Sequence, residues 1–132
     1  PKTRHWAILR PGGILRSLEP MKTNLLPSLP ESIAQYLACA NRFDAAGAIG
    51  WFTLDAIVRD EQKDHVGLPA IERWIAESSA SAQPQAAPTQ VEVRGASVQM
   101  TGRVTGNFPG SPLDLDYTFL LQDGKISRLT IQ

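Results

Sequence analysis

Residues 44–75 read DAAGAIGWFTLDAIVRDEQKDHVGLPAIERWI, and local structural signals are densest in this segment. Asp44 has the short side-chain oxygen that is typical of a helix N-cap, and two alanines follow it. The sequence therefore predicts a short apolar helix that runs through Ile49, Trp51 and Phe52.

The middle of this segment predicts a β-hairpin that leads into a second helix. Residues 56–60, AIVRD, alternate in the manner of a strand, and residues 62–64, QKD, read as a polar turn. The second helix has Pro69 in its first turn and an apolar face formed by Ile71, Trp74 and Ile75. Both helices carry apolar surface, so they need a broad surface on which to pack.

The last third of the chain supplies that surface as four predicted strands. From Thr89 onward, apolar and polar residues alternate with a period of two. The apolar set is Val91, Val93, Val98, Met100, Val104, Leu113, Leu115, Tyr117, Phe119 and Leu121. The polar set is Glu92, Arg94, Gln99, Thr101, Arg103, Thr105, Asp114, Asp116 and Thr118. A tight turn at Asp123-Gly124 leads into the last strand, so we expect an antiparallel meander with one apolar face.

Another helix is predicted ahead of residues 44–75. Ser28 and Glu31 have the spacing of a capping box, and Pro30 falls in the first turn, so this helix is expected to run to about Phe43. Its apolar stripe contains Ile33, Tyr36, Leu37 and Ala40. Residues 77–88 are rich in serine, alanine and proline, and we expect them to form a connector.

The chain divides into an N-terminal extension, residues 1–20, and one domain, residues 21–132. The extension contains the turn sequence Arg10-Pro11-Gly12-Gly13 between two short apolar pieces, which would suit a small hairpin. Alternatively, Met21 is the true start and the preceding residues are a translated upstream region. The remaining length is enough to bury a single core without disulfides or metal.

Composition excludes several classes of function. The formal net charge is zero, so the domain lacks the electrostatic footprint of a nucleic-acid-binding protein. No apolar run approaches the ~20 residues that a membrane helix needs, and no membrane association is expected. With one cysteine, Cys39, and only His5 and His65, a zinc site is not expected, and we predict no metal or cofactor. A single cysteine also predicts a reducing, cytoplasmic setting.

Two motifs carry a resemblance to a known family. Residues 44–60 fit D-x₃-A-x₃-F-x₂-D-A-x-V-x-D, and residues 65–74 fit H-x-G-x₂-A-I-x₂-W. Over roughly residues 29–131 the chain resembles the SnoaL-like polyketide cyclase branch of the nuclear transport factor two-like (ketosteroid isomerase-like) superfamily. The resemblance implies an α+β fold, in which a cone-shaped, curved mixed sheet of about six strands wraps around three helices. It also implies a mostly apolar pocket of ordinary ligand size between them.

The same resemblance implies roles for two residues. Asp60 matches the aspartate general base at the end of the first strand. Tyr36 matches the oxyanion-binding tyrosine, within the run YLACANRFD of residues 36–44. A carboxylate base and a phenol donor in one dry pocket suit proton abstraction beside a carbonyl. Both residues also have a structural interpretation, with Asp60 as a hydrogen-bonding residue at a strand end and Tyr36 as a core tyrosine.

The third residue of the family's site, a protonated acid, corresponds by position to Asp116. Strand parity, however, puts Asp116 on the polar face of the sheet, which argues against steroid isomerase activity. A difference of one residue in the turn would instead bring Leu115 or Tyr117 into the site.

His65 and five aromatic residues complete the predicted site. His65 is a candidate donor or base at the rim of the pocket, or else a partner of a nearby carboxylate such as Asp64 or Asp60. The residues predicted to line the pocket are Trp51, Phe52, Trp74, Tyr117 and Phe119.

We therefore interpret the chain as a small-molecule-binding SnoaL-like domain that takes a small apolar ligand. The resemblance is compatible with a cofactor-independent isomerase or cyclase that uses Asp60 for acid–base chemistry. The alternative is a non-catalytic ligand-binding or dimerisation module of the same fold. Arginines and aspartates on the polar face of the sheet can pair across a two-fold axis, and this face predicts a homodimer.

Overall fold

The predicted hairpin and the four later strands form one six-stranded sheet in the computed structural model, which describes residues 28–132. Its spatial order is β2-β1-β6-β5-β4-β3. β1 and β6 are parallel, and the other neighbouring strands are antiparallel. The predicted extension, residues 1–20, lies outside the described residues. The strands are β1 (Phe52–Asp60), β2 (Lys63–Val66), β3 (Gln85–Arg94), β4 (Ser97–Thr105), β5 (Leu113–Gln122) and β6 (Lys125–Ile131).

The two-residue period of β5 separates a buried face from an outer face, as predicted. Leu115 and Phe119 are fully buried, whereas Asp116 is exposed. On the outer face, Arg103 of β4 lies opposite Asp114 of β5 and forms an ion pair with it over 3.1 Å. The prediction of one apolar and one polar face is therefore confirmed for this part of the sheet.

Three α-helices pack on the buried face: α1 (Glu31–Asn41), α2 (Ala45–Ala48) and α3 (Leu68–Ala82). The predicted capping box at the start of α1 is wrong. The N-cap is Pro30, whose carbonyl accepts bonds from the backbone N–H groups of Ile33 and Ala34, and no side chain caps the helix. Proline suits this position because its fixed φ precedes a helix without strain and it has no N–H to satisfy.

Asp44 caps α2 as predicted, because its Oδ1 accepts a hydrogen bond from the Gly47 backbone N–H over 2.9 Å. The helix is shorter than expected. It passes into a 3-10 turn over Ile49–Trp51, and Phe52 begins β1. Phe52 pairs with Ile126 of the parallel strand β6, and this long-range pairing outweighs the local apolar pattern.

The boundaries around α3 also differ from the prediction. Pro69 lies in its first turn as expected, but the helix continues to Ala82 and β3 starts at Gln85, so residues 77–88 are not a connector. Ser78 and Ala82 continue the buried stripe of the helix, which explains the extra turns. The loop after β4 closes against this helix end, where a side chain at Gly106 would meet the Ala82 carbonyl oxygen at 2.5 Å.

Candidate functional site

Asp60 is the last residue of β1 and is only 3% exposed. Its backbone lies between Lys63 of β2 and Ile131 of β6. The indole Nε1 of Trp74, on α3, donates a hydrogen bond to Asp60 Oδ2 over 3.0 Å. A buried carboxylate is costly unless it is hydrogen-bonded, so this indole both stabilises Asp60 and orients it.

Tyr36 reaches the same region from α1, and two phenylalanines hold its ring. The ring meets Phe52 edge-on at a centroid distance of 5.4 Å and Phe119 at 6.2 Å. Such edge-to-face contacts are favourable geometries for aromatic pairs. The residue is 4% exposed, so its position is set by packing on all sides.

Tyr117 approaches from β5, and a glycine on the neighbouring strand makes room for it. The Tyr117 ring is stacked with Phe119, with 6.1 Å between centroids and planes 6° apart. A Cβ atom at Gly102 of β4 would lie 3.1 Å from Tyr117 Cε1 and 3.3 Å from Met100 Cε. The position of the phenol therefore depends on the missing side chain at Gly102.

Burial and the charge of Asp60 affect the pKa values of the two tyrosines. Burial raises the pKa of the Tyr36 hydroxyl well above its ordinary value, and the nearby Tyr117 and Asp60 raise this pKa further. The pKa of Tyr117 is also raised, first by burial and then by Asp60. Both phenols therefore remain neutral at physiological pH and can donate hydrogen bonds to a developing negative charge.

These groups lie on the wall of a partly open cavity of about 60 Å³ between α1, α3 and the sheet. A cavity of about 150 Å³ takes a benzene molecule. In this conformation the cavity therefore holds a smaller fragment, or one end of a larger ligand, and it falls short of the predicted pocket of ordinary ligand size. Its wall is formed by Tyr36, Leu37, Ala40, Asn41, Asp60, Trp74, Ile75, Ser78, Ser79, Pro84, Ala86, Val104, Leu115, Tyr117 and Ile131.

Asn41 and Ser78 are polar wall residues with different surroundings. The Asn41 carboxamide donates to the Ala86 carbonyl over 3.0 Å and accepts from the Ala86 N–H over 2.8 Å, which ties α1 to β3. The Ser78 hydroxyl is buried, and within residues 28–132 it has no hydrogen-bond partner. Ser78 and Gly102 were not identified from the sequence. The signal for Ser78 was its place four residues after Trp74, on the apolar stripe of α3.

The structure brings four of the predicted site residues together on the cavity wall, namely Asp60, Tyr36, Trp74 and Tyr117. Phe52 and Phe119 lie outside this wall because the Tyr36 ring packs against both of them. Trp51 is half-buried in the 3-10 turn and is also outside the wall.

His65 and Asp116 have other surroundings. The His65 ring stacks on the Trp74 indole at a centroid distance of 5.8 Å, so it supports the residue that holds Asp60. Asp116 is on the outer face, where its Oδ1 accepts a hydrogen bond from the Thr101 hydroxyl over 3.1 Å. Leu115 and Tyr117 face the cavity instead.

Two further features of residues 28–132 bear on the class of protein. No helix in this part of the chain is long and apolar enough to cross a membrane. No group of three or more histidine, cysteine or acidic residues in the same range could hold a metal ion.

A curved mixed sheet wrapped around three helices, with a cavity between them, defines an α+β cone of the nuclear transport factor two-like class. No family model and no curated protein matches the chain. Among solved structures, a putative polyketide cyclase from Sinorhizobium meliloti is 36% identical, with a TM-score of 0.76, over 79% of this chain and 95% of that protein. The chain therefore belongs to the SnoaL-like polyketide cyclase branch of that superfamily.

Two more distant structures share the fold. One is a protein with a ketosteroid isomerase-like fold from Catenulispora acidiphila, in complex with trimethylamine. It is 16% identical, with a TM-score of 0.71, over 80% of this chain and 86% of that one. The other is TerC co-crystallised with polyporic acid, which is 18% identical with a TM-score of 0.69, over 77% of this chain and 88% of its own.

Proposed function

We propose that the domain binds a small carbonyl compound with an apolar frame, and that Asp60 moves a proton beside the carbonyl group. The observation that carries this proposal is the meeting of one buried carboxylate, Asp60, and two neutral phenols, Tyr36 and Tyr117, on one cavity wall. The rest of the wall is mainly apolar, which favours an uncharged ligand.

The chemistry follows from the kinds of group on this wall, one carboxylate that can accept a proton and two neutral phenols that can donate hydrogen bonds. The Asp60 carboxylate takes a proton from the carbon next to the carbonyl, and the electrons of that C–H bond form a C=C bond while the carbonyl π electrons move to oxygen. The phenols of Tyr36 and Tyr117 donate hydrogen bonds to this enolate oxygen, which lowers the barrier. In a simple ketone, protonated Asp60 returns the proton to the same carbon as the carbonyl re-forms, so the result is hydrogen exchange. In a ketone with a C=C bond β,γ to the carbonyl, the enolate extends over that bond, the proton returns to the γ carbon, the double bond moves beside the re-formed carbonyl, and the product is an isomer with no oxidant or cofactor consumed.

Trp74 and the size of the cavity set limits on this reaction. The indole hydrogen bond holds Asp60 Oδ2 in place, so the carboxylate that would take the proton is fixed on the cavity wall. The family's polyketide cyclases suggest a larger substrate than a cavity of about 60 Å³ admits. Such a ligand would extend through the open side of the cavity, or the cavity would widen around it.

The test is hydrogen exchange on a small ketone. Pentan-2-one is incubated with the protein in D₂O, and loss of its α-proton signals is followed by NMR. We expect exchange above the buffer rate for the unmodified protein and at least about 100-fold less catalysis for Asp60→Asn, because general base catalysis typically contributes about 10²–10⁴-fold. Asp116→Asn, on the outer face, is the matched control and should keep its activity. Equal exchange by Asp60→Asn and the unmodified protein would refute the role of Asp60.

The second candidate is a non-catalytic binding module. It is favoured by the bond from Trp74 to Asp60, which would serve equally well as a structural anchor between α3 and β1. In this case pentan-2-one or a related ketone shifts the resonances of cavity residues, while the rate of exchange stays at that of the buffer for every variant.

We also propose that the outer face of the sheet forms a homodimer. The strand register places Val66, Ile57, Arg128 and Leu120 in one row across this face. Val66 is 62% exposed and Leu120 is 40% exposed, so the face offers apolar contact area beside its charged residues. An isologous contact would bury this row against its own copy.

A further inference from the structure

Ser78 is a polar wall residue that is more than nine-tenths buried, and its hydroxyl lacks a hydrogen-bond partner within residues 28–132. A buried hydroxyl without a partner is unfavourable by roughly 1–3 kcal/mol. A serine in a helix could bond the carbonyl four residues earlier, but no such bond is formed here. Ser78 thus belongs to the cavity wall, and the hydrogen-bonding capacity of its hydroxyl is unused within residues 28–132.

The neighbouring polar groups do not compete for this hydroxyl. The Asn41 carboxamide is bound at both ends to the backbone of Ala86. The same cavity wall carries the apolar residues Ile75, Val104 and Leu115, and Ser79 follows Ser78 on it. A hydrogen bond made in such surroundings is well shielded from water, which strengthens it.

The position of Ser78 on α3 sets its distance from the residues that are proposed to carry the chemistry. Ser78 follows Trp74, the partner of Asp60, by four residues, so both side chains lie on one face of the helix and are ~6 Å apart along its axis. A ligand whose carbonyl lies at Asp60 and the two tyrosines therefore reaches Ser78 with a group that is one helical turn away.

We propose that Ser78 is a specificity-determining residue for a ligand with two oxygen functions on an apolar frame. The first is the carbonyl that faces Tyr36 and Tyr117, and the second is a hydroxyl or carbonyl that bonds the Ser78 Oγ. Ligands of this class are hydroxyketones and diketones with oxygens one helical turn apart. This inference rests on the proposed function, because that function supplies the position of the ligand's first oxygen.

The test compares two probes that differ by one hydroxyl, pentan-2-one and 5-hydroxypentan-2-one, by NMR titration of the protein. The hydroxyketone should bind about two- to tenfold more tightly, which corresponds to one neutral hydrogen bond. In Ser78→Ala the ratio of the two affinities should fall to about one. A ratio that Ser78→Ala leaves unchanged would overturn the inference.

Ser32→Ala is the matched control, because the Ser32 hydroxyl is also buried without a partner in residues 28–132 but lies away from this cavity. It should keep the full ratio. Binding of pentan-2-one without any gain from the hydroxyl would defeat the inference about Ser78 and leave the proposed function intact. If neither ketone binds the unmodified protein, the proposed function fails, and the inference fails with it.

Discussion

The Trp74 indole on α3 and the Asp60 carboxylate at the end of β1 share a hydrogen bond of 3.0 Å inside the core. Fourteen residues separate them in the sequence, and the hairpin between them returns the chain so that the helix lies over the strand end. His65 of that hairpin stacks on the indole. The orientation of Asp60, the proposed general base, therefore depends on how α3 packs on the sheet.

Replacing Trp74 by phenylalanine should destabilise the protein by about 2–3 kcal/mol, measured by urea unfolding. The variant keeps an aromatic ring but removes the N–H that bonds a buried carboxylate, and hydrogen bonds to charged groups contribute about 1.5–3 kcal/mol. Trp51→Phe, in the half-buried 3-10 turn, is the control and should cost less. In an Asp60→Asn background the cost of Trp74→Phe should shrink, since the bond is no longer charge-assisted. Equal costs in both backgrounds would contradict this account.

The two tyrosines of the chain are Tyr36 and Tyr117, so tyrosinate absorbance near 295 nm reports on the site alone. We expect both to titrate above the ordinary tyrosine pKa of about 10, because burial and Asp60 disfavour the phenolate. Asp60→Asn should lower both pKa values, while burial keeps them above the ordinary range. Titration of either tyrosine near pH 10 in the folded protein would be inconsistent with this cluster.

The same raised pKa values predict a loss of stability in alkali. The folded state holds the tyrosine protons more tightly than the unfolded state, so the protonated tyrosines contribute to the free energy of unfolding. This contribution is complete below about pH 10 and is lost as the pH rises toward the pKa values of the folded state. The free energy of unfolding should fall by about 1.4 kcal/mol per pH unit for each tyrosine. The double variant Tyr36→Phe/Tyr117→Phe should show a shallower decline, and an identical decline would mean that other groups cause it.

Gly102→Ala should disturb Tyr117 more than it disturbs the fold. The new methyl group would lie 3.1 Å from Tyr117 Cε1, so the ring must move by a few tenths of an ångström. We expect a loss of about 1 kcal/mol, together with a changed Tyr117 titration. Gly50→Ala is the control, because a methyl group there meets nothing within 4 Å. A Tyr117 titration that is unaffected by Gly102→Ala would show that the glycine does not set the position of the phenol.

Arg103→Glu should weaken the proposed homodimer. Arg103 lies on the outer face and forms an ion pair with Asp114 of its own chain. The change to glutamate therefore places like charges beside each other, both within one protomer and across the contact between the two protomers. Sedimentation should show a dimer for the unmodified protein at tens of micromolar and a shift toward monomer in the variant, with a smaller shift in high salt. Arg73→Glu, an exposed charge reversal on α3, is the control. A monomeric unmodified protein would exclude this interface.

Much of the fold follows from local patterns in the chain. The two-residue alternation of Leu113, Leu115, Tyr117 and Phe119 identified a strand and its buried face, because a pleated strand sends successive side chains to opposite sides. Asp44 and Pro69 marked helix starts through their own capping and backbone preferences. The boundaries that were wrong, at Phe52 and Gln85, depend on pairing with other strands, β6 and β4 respectively.

The sequence by itself determined the sides on which Asp60, Tyr36 and Asp116 lie, since strand and helix periods set these directions. Only the tertiary structure decided what each residue meets. The bond from Trp74 to Asp60, the space that Gly102 leaves for Tyr117 and the Ser78 hydroxyl, which has no partner within residues 28–132, all depend on how separate elements pack together. Local preferences specify the elements, but packing between them places these side chains around one cavity.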